Sequence, residues 1–450
     1  MKTILGAGLA GISCSYHFGH KKCIIFEKNS SAGGHIRSHR RDGFIWDEGP
    51  HVSFTKNSYV RELFEKSVNG DFLEHKVNVS NYYNGSWIPH PAQSNLFAVP
   101  EPQRSECLED FLSVRNTKPN TNDNYFENYH DWLEFAFGAS FSRYFSTAYT
   151  RKYWTCEPSD LATDWVGGRV FYPDIETVTE GYKQAPLKAT HYIKNIRYPS
   201  KGGYDRFSAC LKEGANINLN HKVESINLDK RVINFSNGVQ HHYNELINTI
   251  PLPEFVRLAS EHAPQSVKDA AKNLNCSSVL LVNVTAKHVS KKPYHWIYVY
   301  DEEKFSTRIN HIEMLSPSNA PKSMTGIQVE VYESSYKPFK MSHETIAKKV
   351  VLELKEMGLL DEIDSVHTNY VPYANVIFDS ARRDAQNTIL SWLESYGLVR
   401  EDDDLDPMTD WNKEKKLIKG PLMLAGRFGQ WKYFWTDDCI LRGRQLASSL

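Results

Sequence analysis

The chain lacks any pair of cysteines at metal-binding spacing. Its seven cysteines, at 14, 23, 107, 156, 210, 276 and 439, are odd in number, and no CxxC occurs. This argues against a disulfide framework or a zinc site and suits reduced thiols in a cytosol. No metal is expected. An excess of charge of one sign is missing too: 53 Lys and Arg face 54 Asp and Glu, a formal net charge of −1. That balance gives no attraction for nucleic acid or an anionic membrane. No apolar run approaches the roughly 20 residues that cross a bilayer. Met1-Lys-Thr-Ile-Leu runs straight into a glycine turn, without a secretory leader. The expectation is a soluble, cytoplasmic protein with no membrane span. Repeats, low-complexity tracts, a Ser-His-Asp arrangement and a carboxylate pair are all absent. His241-His242 lies in a polar stretch and reads as solvent-exposed.

What is present is an ordinary globular composition. Hydrophobic residues make up 40% and charged residues 24% of 450. A chain of this length exceeds one compact core and implies two or three domains. Aromatic residues are plentiful, with 24 Tyr, which suits the stacking of planar rings, although core packing accounts for most of them. Lys2-Thr-Ile-Leu reads as a strand, Ile12 to Phe18 as a helix, and Cys23 to Glu27 as a second strand. Asn84-Gly85 signals a hairpin. Residues 106–165 read as mostly helical. Short strands return at 216–250, long ones at 276–335, and 343–358 reads as an amphipathic helix. Glu401-Asp-Asp-Asp404 reads as a solvated loop. A last strand is expected at 420–426 and a last helix at 437–449.

Gly6, Gly8 and Gly11 form G-x-G-x-x-G between the first strand and the first helix. The first glycine allows a tight turn, the second a close approach to pyrophosphate, and the third close helix–strand packing. The helix N-terminus adds free N–H groups and a positive dipole end. Glu27 ends the second strand, where a carboxylate can accept from a ribose 2′-OH; this favours FAD or NAD over NADP.

The segment Ala32-Gly33-Gly34-His35-Ile36-Arg37-Ser38 resembles the extended FAD motif of the amine oxidase, protoporphyrinogen oxidase and UDP-galactopyranose mutase superfamily. The resemblance implies non-covalent FAD. Gly426 and Arg427, in Leu424-Ala-Gly426-Arg427-Phe-Gly429, match the place where the C-terminal segment returns to the flavin, with Asp437 as N-cap of the last helix. Val223 matches a strand whose backbone contacts adenine. The fold class expected is α/β: a discontinuous Rossmann-like FAD-binding domain with inserted helical and mixed β-sheet substrate domains. The divisions are 1–80, 196–255 and 366–450 for FAD, 81–195 for a mainly helical domain, and 256–365 for an antiparallel-sheet domain.

Across nearly the whole chain the resemblance narrows to the UDP-galactopyranose mutase family. Asp47-Glu-Gly-Pro-His51 resembles the loop whose histidine lies by the flavin. Trp87-Ile-Pro-His-Pro-Ala-Gln-Ser-Asn95 resembles the segment with a substrate-contacting asparagine. Tyr149-Thr-Arg-Lys-Tyr-Trp154 is similar to the pattern whose tyrosine stacks on uracil and whose tryptophan borders the sugar. Arg169 and Arg308 match diphosphate-binding arginines, and Tyr298 accompanies Arg308. Tyr373 and Tyr433 match tyrosines that hydrogen-bond the diphosphate. Arg197-Tyr-Pro-Ser-Lys-Gly202-Gly203 resembles a Pro-x-x-Gly-Gly turn.

The resemblance implies pyranose–furanose interconversion of a UDP-sugar with no net redox change. N5 of reduced flavin would attack the anomeric carbon, with Arg169, Arg308 and His51 as catalytic-site residues. FAD active only when reduced implies a reductant, NAD(P)H or another; a homo-oligomer stays open. Two departures touch the pocket. Phe-Trp-Thr-Asp-Asp-Cys follows Tyr433 in place of an amide-rich stretch, and residues 174–196 do not align in detail. The sugar is therefore open among UDP- and dTDP-sugars. The alternatives are an FAD-dependent oxidoreductase of the amine oxidase or protoporphyrinogen oxidase type, and a flavin carrier without catalysis. No cysteine stands at 426–429 for a covalent flavin, although Cys439 is near.

Overall fold

Thr3, Ile4 and Leu5 are all fully buried in a short strand, Lys2–Leu5, as expected of a parallel strand covered on both faces. The computed structural model describes residues 1–117, 126–167, 170–186, 193–400 and 420–448. Lys2–Leu5 is the centre of a five-stranded sheet. Cys23–Phe26 and then Ile217–Asn218 lie on one side, and Glu245–Asn248 and then Leu422–Leu424 on the other. Every pairing in it is parallel. The FAD-type domain is thus assembled from segments far apart in the chain, as expected. The chain order reverses direction at Lys2–Leu5, so the crevice beyond its carboxyl end is where a ligand of an open α/β sheet binds.

The first helix is Leu9–Phe18. It starts three residues before the expected Ile12, so Gly11 is helical and not part of the turn. The last helix, Thr436–Ser448, packs along it. The two approach closely because a Cβ on Gly443 would stand 2.3 Å from Ser13 Oγ.

A seven-stranded sheet forms the other half. Its order is Ser365–Val376, Cys276–Ala286, Thr325–Glu333, Arg308–His311, Trp296–Val299, Val79–Tyr83 and Ser86–Pro89. All pairs are antiparallel except Trp296–Val299 with Val79–Tyr83, so the sheet is mixed. Two expected divisions therefore shift. Ser365–Val376 is paired from Ser365 to Val376 against Cys276–Ala286, so a cut at 366 would strip a strand from its sheet. The hairpin at 79–89 crosses the expected cut at 81 and also belongs here, its turn closed by Asn84 and Gly85 at φ +46° and +75°.

The helical layer consists of Gln103–Thr117, Tyr129–Phe137, Ala148–Tyr153 and Ile175–Lys183, with a π-helical stretch Ser142–Thr147 leading into the third. A three-stranded sheet, Val223–Asn227, Val232–Phe235 and Gln240–His242, flanks the parallel one. Here the expectation of exposure holds for His242 and fails for His241. His241 is half-buried, and its Nε2 lies 2.9 Å from Thr3 Oγ1, because its strand folds back over the first strand. Two ribbons, Ser38–Arg41 with Phe44–Asp47 and Phe72–Lys76 with Asn195–Pro199, complete the frame. The acidic stretch 401–404 lies outside the described residues. Among the described residues no helix is long and apolar enough to cross a membrane.

Candidate active site

The turn after the first strand needs glycine at its start, and the helix that follows needs glycine in its first turn. Gly6 has φ +95°, and a Cβ there would stand 2.6 Å from Thr249 Oγ1. A Cβ on Gly11 would stand 2.0 Å from the Gly6 carbonyl oxygen. Gly33 and Gly34 fold back onto this turn. Gly33 N–H donates to the Ala7 carbonyl at 2.8 Å, and a Cβ on Gly34 would stand 2.9 Å from Gly8 Cα. Gly8 is different: a Cβ there meets nothing closer than 3.9 Å. Its bare backbone caps the helix Leu9–Phe18 without a side-chain hydrogen bond. The first-turn N–H groups thus suit a pyrophosphate.

Glu27 is buried and already engaged. Oε2 accepts from Ala7 N–H at 2.8 Å, and Oε1 from Asn29 N–H and Nδ2 at 2.9 and 2.8 Å. Three of the roughly four acceptor positions of a carboxylate are filled. The acid braces the glycine turn and has about one acceptor position left unfilled. Val223 stands at this same end: His221 N–H donates to the Glu27 carbonyl at 2.8 Å two residues earlier.

At the C-terminal return, Gly426 has φ +86° and packs where a Cβ would be 2.7 Å from Ala10 Cβ, so it meets the same helix start. Arg427, expected at the cofactor, is engaged within the protein. Nη2 donates to Asn375 Oδ1 at 2.7 Å, and the guanidinium lies 5.0 Å from the Tyr433 ring centre. Its buried Nε has no protein acceptor, which fits an oxygen of a bound group. Asp437 is a correction. It lies inside the helix Thr436–Ser448, and the capping bond runs from Trp435 N–H to Asp438 Oδ2 at 2.7 Å.

The loop Glu48-Gly-Pro-His51 joins the cradle to the large sheet. Arg37 Nη2 and His39 Nε2 lie 2.9 and 3.2 Å from Glu48 Oε1, and His35 Nδ1 lies 3.1 Å from Oε2. Burial opposes the Glu48 charge, but these contacts hold the carboxyl well below its usual range. Asp47 accepts from Ser38 Oγ and Tyr204 N–H on Oδ1 and from the Tyr198 hydroxyl on Oδ2. Burial nevertheless pushes it up to about 6. Burial lowers His51 to about 4, so its imidazole is neutral at pH 7. Its ring lies 5.4 Å from that of Tyr204.

Arg308 stands across this loop. Its Nε and Nη2 donate to Glu330 Oε2 and Oε1 at 2.6 and 2.8 Å. Burial opposes its charge most strongly, but Glu330, Tyr332 and Tyr149 together outweigh burial and keep the guanidinium protonated. Phenols surround the pair. Tyr149 lies 5.4 Å from Tyr298 and 5.6 Å from Tyr153, and Tyr153 lies 5.0 Å from Tyr332. Burial keeps all four protonated. The Tyr149 hydroxyl is buried without a hydrogen-bond partner. Trp154 and Tyr433 meet at 5.8 Å. Tyr373 is set to one side, 5.6 Å from Phe428, whose ring is 5.6 Å from His35. Asn95 is turned inward: buried, it donates to the Pro91 carbonyl at 2.8 Å. Arg169 lies outside the described residues.

The model of the family described as flavin containing amine oxidoreductase matches residues 9–450. The chain belongs to that family. A flavin cofactor, FAD, follows from this membership, and the glycine cradle, the open helix start and the orphaned Arg427 Nε fit it. In fold, the chain is similar to a crystal structure of reduced UDP-galactopyranose mutase, with TM-score 0.86 and 22% identity over 99% of this chain and 92% of that one. It is also similar to a putative protoporphyrinogen oxidase from Exiguobacterium sp. 255-15, with TM-score 0.70 and 15% identity over 99% and 97%. A local stretch of 67 residues is 33% identical to a 4,4'-diapophytoene desaturase (4,4'-diaponeurosporene-forming) of Staphylococcus haemolyticus. That stretch is 14% of this chain and 13% of the desaturase.

For a flavin amine oxidoreductase family member, four residues in this region escape motif reading: Tyr153, Glu330, Tyr332 and Asn375. Asn375 Oδ1 links Tyr153, whose hydroxyl donates at 3.2 Å, to Arg427. Gln328, Glu330 and Tyr332 alternate with Ile327, Val329 and Val331 in a buried strand. That polar face at period two is the signal that marks them.

Proposed function

We propose that the protein is an FAD-dependent nucleotide-sugar mutase that interconverts pyranose and furanose forms of a UDP-sugar, UDP-galactopyranose or a relative. The observation that carries this reading is the gathering of a charged Arg308 and four protonated tyrosines next to the His51 loop. A sugar diphosphate offers anionic oxygens, and a guanidinium with phenolic donors binds them by charge-assisted hydrogen bonds. Tyr149 and Tyr298 present ring faces for uracil, and Trp154 and Tyr433 border the sugar. Arg169 would share the diphosphate with Arg308, and Tyr373 would add a hydroxyl.

Bound non-covalently and reduced, FAD supplies the nucleophile toward the anomeric carbon. The protein's part is electrostatic. Arg308 stays protonated while charge builds on the departing diphosphate and holds it in place. His51, neutral at pH 7, shapes the loop and is no strong acid. Gly6, Gly8, Gly11, Gly33 and Gly34 hold the dinucleotide.

One observation favours a second reading, an FAD oxidoreductase. Glu330 offsets the charge of Arg308, so the pair alone is neutral. The deciding experiment is anaerobic. The purified flavoprotein is reduced with dithionite and given UDP-galactopyranose, and the products are separated by chromatography. A UDP-galactofuranose peak that vanishes with oxidised enzyme is the expected result. Turnover of an amine or other reduced substrate by oxidised enzyme, with oxygen consumption and no furanose peak, would replace the mutase with the oxidoreductase.

A further inference from the structure

A cavity of about 550 Å³ opens on a face that shares no residue with the glycine cradle or the Arg308 cluster. It is lined by Arg40, Ile45, Val68, Asp71, Lys201, Gly202, Arg206 and Ser318. This size falls within the roughly 300–1,000 Å³ of small-molecule sites. Ile45 and Val68 are buried and give it an apolar floor. The rim carries three cations and one carboxylate, in a chain whose charges otherwise balance.

The two arginines are brought together by a glycine. At Gly202, φ is +91°, and the space a Cβ would take is filled by Arg206, with Cγ and Cδ at 2.8 and 3.0 Å. Arg40 Nη2 reaches the same point at 3.6 Å. Two cationic side chains, Arg206 by its stem and Arg40 by its Nη2, meet here from separate elements, the turn Tyr204–Ser208 and the ribbon strand Ser38–Arg41, and both line the cavity. Among the described residues none of Arg40, Lys201 or Arg206 forms an ion pair with a carboxylate. Elsewhere the chain does pair such groups: Arg37, on the same segment as Arg40, reaches Glu48.

We propose that this cleft binds a soluble phosphorylated small molecule, whose dianionic phosphate sits between Arg40 and Arg206 with Lys201 alongside and whose organic part rests on Ile45 and Val68. Planar guanidinium forks suit phosphate oxygens, and a dianion relieves the repulsion between them. The site is also wired to the flavin side. Tyr204 N–H and Ser38 Oγ, from the two elements that carry the arginines, both donate to Asp47, which directly precedes the Glu48–His51 loop.

The test is calorimetric titration of the flavin-loaded protein with pyrophosphate, compared with Arg40→Gln/Arg206→Gln and, separately, Lys201→Gln. All three side chains are exposed, so melting temperature and flavin absorbance should stay at the wild-type values. The expected result is a binding event weakened about tenfold to a hundredfold in the double variant and less in Lys201→Gln, and weakened by added salt. A titration in which no pyrophosphate binding event is weakened in the double variant would overturn the proposal, because an event common to both proteins belongs to the Arg308 cluster. So would the absence of any pyrophosphate binding together with co-sedimentation on phosphatidylglycerol vesicles that the double variant loses, because the ligand would then be a lipid headgroup. Should the double variant not fold, unchanged affinity in Lys201→Gln at low salt would count against the site, and a severalfold loss would support it.

Discussion

Arg308 and Glu330 meet through two parallel hydrogen bonds, Nε to Oε2 at 2.6 Å and Nη2 to Oε1 at 2.8 Å, with the carboxylate buried. One partner therefore cannot be removed without stranding the other.

Arg308→Ala should cost about 3–5 kcal/mol of stability, because a buried carboxylate is left without its partner. It should also abolish turnover of the nucleotide sugar. Arg308→Met/Glu330→Gln separates the two effects. The double variant should recover most of the melting temperature of the parent while turnover stays lost. Recovery of turnover along with stability would remove Arg308 from the chemistry and leave it a structural role.

The two glycines Gly8 and Gly11 should fail differently. Gly11→Ala drives a methyl into the Gly6 carbonyl, so the first strand–turn–helix unit should not form and the protein should not accumulate folded. At Gly8 a methyl has room in the protein, and only a bound pyrophosphate would meet it. Gly8→Ala should keep wild-type circular dichroism and lose FAD on dialysis, with affinity down tenfold or more. Full flavin retention in Gly8→Ala would place the pyrophosphate elsewhere.

His51, His295 and His311 are each lowered to about 4, by burial first. Their folded values lie below the unfolded 6.5. Their contribution to stability is thus present above pH 6.5 and lost as pH falls through 4. Denaturant midpoints should fall between pH 6.5 and 4, and less steeply in His295→Asn. Parallel profiles for variant and wild type would show that His295 already carries a proton in the folded state.

Asp47 has the opposite sign. Burial raises it to about 6, above its unfolded 3.8, so its contribution is complete below pH 3.8 and is lost as pH rises through 6. Asp47→Asn should therefore cost more stability at pH 4.5 than at pH 7.5. The comparison is made by urea melts at both values, and an equal cost would mean that Asp47 ionises as in a free peptide.

The cradle was legible because its spacings are local. Gly6, Gly8 and Gly11 stand at fixed short spacings between one strand and one helix, Gly33 and Gly34 follow the second strand, and Glu27 lies at a fixed distance. Only Gly11 is constrained by nearby backbone, however, while Gly6 meets Thr249 and Gly34 meets Gly8. The family motif also brought Tyr149, Tyr298 and Arg308 together, and these do share one cluster. Glu330 was not legible, because it reaches Arg308 through sheet register, across 22 residues of sequence. The cut at 366 misplaced a strand for the same reason: Val366 and Tyr370 alternate outward on an edge and give no sign of which sheet owns them. Asp437 looked like a cap by residue type alone. The side chain that caps is the next one, and only the helix phase distinguishes them. Asn95 fits its motif, yet its amide is spent on Pro91.

The five-stranded sheet draws its strands from residues 2–5, 23–26, 217–218, 245–248 and 422–424. On the ribosome, the first strand waits about 240 residues before Glu245–Asn248 can pair with it, and the edge strand Leu422–Leu424 comes later still. The helix Thr436–Ser448, which covers Ser13 and Cys14, is made after all of them. Closure of the glycine turn by Gly426 and the last helix accordingly cannot precede synthesis of residues 422–448. A nascent chain stalled before residue 422 would expose the apolar side of its glycine-turn helix to chaperones in place of the last helix.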